Sequence, residues 1–136
     1  MVTLVNPATD TLDSNAPNSP NRDLARRPLT IVLWWALPYV LATASDFLRL
    51  TVQDEAWIWA AAMAWMSVGC FLNAWRCHRL HCYISGPTLA LGALAAALIG
   101  AGLIDLGPHG LSYVTWVALG LAVLSFVPEF RWGRYA

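Results

Sequence analysis

The chain has 136 residues, 58% of them hydrophobic and only 12% charged, with a formal net charge of zero. An average soluble domain carries about 25% charged residues, so a soluble core of one domain could not hide this much apolar surface, whereas a bilayer removes the need. The neutral balance gives no basis for nucleic-acid binding, and three cysteines confined to positions 70–82 are not a secreted disulfide framework.

Residues 1–27 are polar and interrupted by Asn6-Pro7, Pro17-Asn18 and Pro20-Asn21, which predicts a disordered tail. The tail lacks the basic start and apolar core of a signal peptide. Arg22, Arg26 and Arg27 close it, and Pro28 suits a first helical position. A first span is expected over 29–48, about the length that crosses a bilayer core. Trp34 and Trp35 lie near its start, Pro38 is expected to kink it, and Asp46 lies one turn before Arg49 as an ion-pair partner.

A short acidic connection, 51–55, leads into a second span over 56–75. Trp57 and Trp59 at one end and Trp75 at the other read as an aromatic belt, with Trp65 turned to lipid or a neighbouring helix. Ser85-Gly86-Pro87 reads as a stop before a third span over 88–106. There Gly92, Ala96 and Gly100 form a small-residue stripe suited to close helix packing. Gly107-Pro108-His109-Gly110 reads as a tight turn. A fourth span over 111–127 leads to a short basic tail, 131–136.

The expected fold is therefore an all-α membrane protein, with a transmembrane domain over 28–130 built as an up-and-down four-helix bundle. The arginines set its orientation. Three precede the first span, two lie between the second and third, and two follow the fourth, so seven of the eight fall on one side. The positive-inside rule puts that side, with both termini, in the cytoplasm. The expectation is a multi-pass protein of the inner (plasma) membrane. Its partners are the lipid bilayer, further copies of itself or partner membrane helices, and no nucleic acid.

The chemistry concentrates in residues 69–87, where Cys70, Cys77, His78, His81 and Cys82 are candidate metal ligands. If the second helix continues through Cys82, then Cys70, Cys77 and His81 fall within about 40° of one another, and Cys70 sits about 10 Å further along the axis. His78 and Cys82 form a second pair one turn apart. That arrangement is a staged relay. If the helix ends near Arg76 instead, the last four ligands can close around one ion and Cys70 becomes a packing residue. Soft thiolates select mercury(II), copper(I) or zinc, and Arg76 and Arg79 favour the thiolate forms. The spacing matches no standard zinc pattern.

The run Asn73-Ala74-x-Arg76-Cys77-x-Arg79-x-His81-Cys82-Tyr83-x-x-Gly86-Pro87 resembles a motif of small bacterial multi-span membrane proteins, some of them similar to mercury-resistance transport proteins. The resemblance implies that Cys77, His81 and Cys82 carry the metal, with Cys70 as a partner.

At the outer ends of the spans, Asp46, Asp105 and His109 read as a cation-admitting site, against the plainer reading of a local Asp46–Arg49 ion pair. Asn73 reads as an interhelical hydrogen-bonding residue. Catalysis finds no support: Ser67 and Ser85 lack a base and orienter, and no glycine-rich phosphate loop is present. Two functions follow from the sequence. One is binding or transport of a soft heavy-metal cation. The other is a non-catalytic accessory membrane subunit in which the Cys/His stretch is structural.

Overall fold

The computed structural model describes residues 24, 27–48, 50–78 and 80–127, the side chain of Cys77 excepted. The expected tail 1–27, apart from Leu24 and Arg27, the terminal segment 131–136, Arg49 and Arg79 lie outside the described residues. Among the described residues every element is helical and none is a strand. Four helical runs follow in order: α1 over Pro28–Leu48, α2 over Val52–Cys77, α3 over Leu80–Gly100 and α4 over Gly110–Leu124. The first three are long and apolar enough to cross a membrane. With 15 residues α4 is shorter, about 22 Å against a bilayer core of about 30 Å.

α1 begins with Pro28 in its first turn, where a missing N–H costs nothing. Pro38 would thrust its ring against the Trp34 carbonyl in a regular helix. The chain instead widens into a π-helical turn over Val32–Ala36, in which the Leu37 N–H reaches back to the Val32 carbonyl. The wide turn carries both tryptophans. A side chain at Gly69 of α2 would meet the Trp34 ring at 3.1 Å, so glycine is what lets this indole lie against the α2 backbone.

α2 starts four residues earlier than expected. Thr51 Oγ1 accepts the Asp54 N–H at 3.2 Å and donates to the Asp54 carboxylate at 2.7 Å. The acidic stretch 51–55 is thus a helix cap and first turn rather than a connection, with Asp54 and Glu55 at the positive end of the helix dipole. α2 ends at Cys77 because His78 adopts the left-handed conformation, φ 51° and ψ 42°, while its N–H still bonds the Ala74 carbonyl.

The third helix differs most from expectation. It begins at Leu80, not near 88, and passes through Pro87. Hydroxyls occupy carbonyls around the proline: Ser67 of α2 donates to the Gly86 carbonyl at 2.8 Å, and Thr88 donates to that of Ile84 at 2.8 Å. The carbonyl that Pro87 leaves without its helical N–H is that of Tyr83, one turn back, and the helix continues through it. α3 ends at Gly100, not 106. Gly102 lies at φ 68°, and two bonds, Gly102 N–H to the Ile99 carbonyl and Leu103 N–H to that of Leu98, close a Schellman cap.

Alanines and several polar side chains are prominent in the interior, while many large apolar side chains face outward. Ala56, Ala62, Ala74, Ala93, Ala96 and Ala118 are buried together with Ser67, Asn73, His81, Ser85 and Thr115. Leu91, Trp75 and Val123 face outward, at 67%, 83% and 68% exposure. Water favours the reverse distribution, and lipid favours this one. The protein is a helical membrane protein. The stripe Gly92, Ala96 and Gly100 is buried as expected. A side chain on Gly92 would meet Ala118 Cβ at 2.7 Å and Met63 Sδ at 2.9 Å, so three helices cross closely there. Trp65 is half-exposed and meets Trp34 edge-on at 6.3 Å. Trp59 is not a belt residue: at 5% exposure it is part of the core.

Candidate functional site

The two-residue break at His78 folds α3 back against α2, and this antiparallel return decides which side chains meet. Residues before the break then face residues after it in reverse order: Ser67 meets Gly86, Cys70 meets Ser85, and Asn73 meets Cys82. Cys70 and Cys82 therefore lie on the facing sides of the hairpin, each bonded to the residue one turn from the other. Both are free thiols and buried, at 2% and 0% exposure.

Three helices furnish the surroundings. The Trp35 indole N–H of α1 donates to Cys70 Sγ at 3.4 Å, made possible by the π-helical turn that carries it. The Ser85 hydroxyl donates to the same sulfur at 3.4 Å. Asn73 Nδ2 donates to Cys82 Sγ at 3.5 Å, and Asn73 Oδ1 accepts the Leu24 N–H at 2.8 Å. His81 Nε2 stands 3.2 Å from Cys82 Sγ, and the His81 ring stacks on Phe126 at 4.1 Å and 21°, just past the end of α4. Donors aimed at sulfur complement negative charge there. The result is a buried polar pocket of sulfur and nitrogen at one end of an otherwise apolar bundle.

The structure thus unites Cys70, His81 and Cys82 and separates His78 from them. His78 Nδ1 bonds the Tyr83 hydroxyl at 2.8 Å, and the two rings stack at 6.4 Å, which pins the hairpin turn. The Cys77 side chain lies outside the described residues. The two arrangements expected from sequence depended on where α2 stops. The relay fails because α2 stops before His81 and Cys82 can share its face. α2 does end near Arg76, as the four-ligand clamp requires; of that clamp's members, His78 is bonded to Tyr83, and the Cys77 side chain lies outside the described residues. Among the described residues no three His, Cys, Asp or Glu side chains converge as a metal cage. What the arrangement offers is a thiol pair with an imidazole beside one member.

Protein-family models, curated proteins and solved structures give no match to this chain.

Trp35, Ser85 and Phe126 escape a reading of the sequence. Their roles depend on the π turn, on the hairpin register and on where α4 ends. Asn73 was legible as an interhelical hydrogen-bonding residue, since a buried amide in an apolar helix must find a partner. The expected outer trio is not assembled. Asp46 and Asp105 line two different cavities, and Asp105 Oδ1 accepts the Gly107 N–H at 2.8 Å in a turn of its own. Arg49, the expected partner of Asp46, lies outside the described residues.

Proposed function

We propose that the protein binds a soft heavy-metal cation between Cys70 and Cys82 and passes it across the membrane. The observation that carries this reading is that two buried thiols face one another across the α2–α3 hairpin, with donors from Trp35 and Ser85 on the Cys70 sulfur and from Asn73 on the Cys82 sulfur. Mercury(II) and copper(I) are satisfied by two thiolates in a linear arrangement, so the pair suffices where a zinc cage would need more ligands. Binding replaces two S–H bonds by two metal–sulfur bonds and releases two protons; His81, against Cys82, is placed to accept one of them, and the other leaves to water. The resemblance of residues 73–87 to small bacterial multi-span membrane proteins, some of them similar to mercury-resistance transport proteins, implies the same class of cargo.

In this reading α4 is the fourth span and both termini face the cytoplasm, as the arginine distribution requires. The thiol pair then lies toward the cytoplasmic side of the inner membrane.

A second reading is favoured by one observation, the lack of a three-ligand cluster among the described residues. In it the sulfurs are hydrogen-bond acceptors that fasten α1, α2 and α3 together, and the protein is an accessory subunit. Mercury(II) titration of the detergent-purified full chain separates the two. The metal reading expects one equivalent bound with a sulfur-to-mercury charge-transfer band. Cys70→Ser and Cys82→Ser each lower affinity by more than the roughly 100-fold upper range for loss of an outer partner. Unchanged mercury(II) and copper(I) binding in both variants sinks the metal reading and leaves the accessory one.

A further inference from the structure

The opposite end of the bundle holds a second feature that the thiol site does not use. A cavity of about 100 Å³ opens between α1, α2 and α4, and its wall includes Tyr39, Asp46, Glu55, Trp59 and Trp116. The carboxyl groups of Asp46, at the end of α1, and Glu55, in the first turn of α2, line the same cavity. Two carboxylates in one small cavity repel when both are ionised, and a cation between them removes the repulsion. Among the described residues no basic group pairs with either.

The rest of the wall selects the kind of cation. Tyr39 and Trp59 meet edge-on at 6.2 Å and 72°, and Trp116 from α4 adds a third ring, 71% exposed. Ring faces attract cations, and most strongly those that shed water easily. Small inorganic ions hold their hydration shells and prefer oxygen cages. An aromatic wall with a carboxylate pair therefore favours an organic ammonium. Trp59 is 5% exposed, and its indole N–H donates to no described group. A buried donor needs an acceptor, which a hydroxyl or phosphate oxygen next to the ammonium supplies.

We propose that this cavity binds the ammonium group of an amino alcohol, primary or methylated, between the Asp46 and Glu55 carboxylates and the rings of Trp59 and Trp116. The ammonium can come from a free amino alcohol or from a lipid headgroup that ends in one. The site is independent of the metal reading, since it shares no residue with the thiol pocket.

The test uses the full chain in nanodiscs of phosphatidylglycerol alone, titrated with choline chloride against sodium chloride at equal ionic strength. Binding is read by saturation-transfer NMR of the choline methyl signal. Saturable binding of choline that equimolar sodium chloride does not abolish is expected. Glu55→Gln and Trp116→Leu each weaken it by about tenfold, the loss of a charge partner or a desolvated cation–π contact. Trp116 is mostly exposed, so its removal leaves the core intact, and Trp65→Leu, on a different face, serves as the control that keeps wild-type affinity. A second arm adds phosphatidylethanolamine to the discs. Suppression of choline binding there assigns the site to the headgroup, and undiminished binding assigns it to a free amino alcohol. A choline signal that does not saturate or that equimolar sodium chloride abolishes, or wild-type affinity in both Glu55→Gln and Trp116→Leu, overturns the proposal.

Discussion

Gly92 and Gly120 offer a matched pair of substitutions that isolates the cost of close helix crossing. Both are interior helix glycines, in α3 and α4. Replacement by alanine gains about 0.8–1.0 kcal/mol of helix propensity at either position. At Gly120 nothing lies within 4 Å of the new methyl, so that gain stands alone. At Gly92 the methyl meets Ala118 Cβ at 2.7 Å and Met63 Sδ at 2.9 Å. Met63 is fully buried; its thioether can swing, but Ala118 Cβ is fixed to the α4 backbone. The helices must therefore part by most of an ångström, and overpacking of that kind costs about 1–3 kcal/mol. The propensity gain cancels in the comparison, so Gly120→Ala should exceed Gly92→Ala in stability by about 1–3 kcal/mol. The assay is reversible unfolding by SDS in mixed micelles, followed by circular dichroism. Equal stabilities for the two variants would refute the crossing at Gly92. A Gly92→Ala protein more stable than Gly120→Ala would refute it more strongly.

Other outcomes follow from the helix ends and the thiol surroundings. Gly102→Ala, at φ 68°, should destabilise by about 1 kcal/mol in the same unfolding assay, because the Schellman cap needs a left-handed residue. Ser85→Ala removes the hydroxyl that donates to Cys70 Sγ and should weaken mercury(II) binding by about tenfold while leaving the stoichiometry unchanged. His78→Gly relieves the left-handed strain and releases Tyr83 but should keep mercury(II) affinity, since His78 stands apart from the thiol pair.

Hydropathy and length made the three long apolar helices legible, because the bilayer thickness itself sets them. The helix ends were less legible, and the site depended on them. Ser85-Gly86-Pro87 has the composition of a stop, yet the Ser67 and Thr88 hydroxyls occupy nearby carbonyls and the helix runs through. Gly102 is the true stop of α3, but in a run rich in glycine and alanine a capping glycine looks like a packing one. The break at His78 carries almost no signal, because a left-handed histidine is uncommon and nothing in its neighbours demands it. Once that break is placed, the pairing of Cys70 with Cys82 follows from an antiparallel return. Before it is placed, helical spacing groups Cys70 with Cys77 and His81, which share a face only on an unbroken helix. Asp46 and Glu55 were likewise separable in sequence only by knowing that 51–55 is the start of a helix that brings Glu55 back over the end of α1.

The central claim is that Cys70 and Cys82 hold one metal ion between them. Mercury-edge X-ray absorption of the full-length Cys77→Ser protein, loaded with one equivalent of mercury(II), tests it most directly. The account predicts two sulfur neighbours about the metal, falling to one in Cys77→Ser combined with Cys82→Ser. A metal surrounded by nitrogen and oxygen, or a sulfur count that Cys82→Ser leaves unchanged, would contradict it.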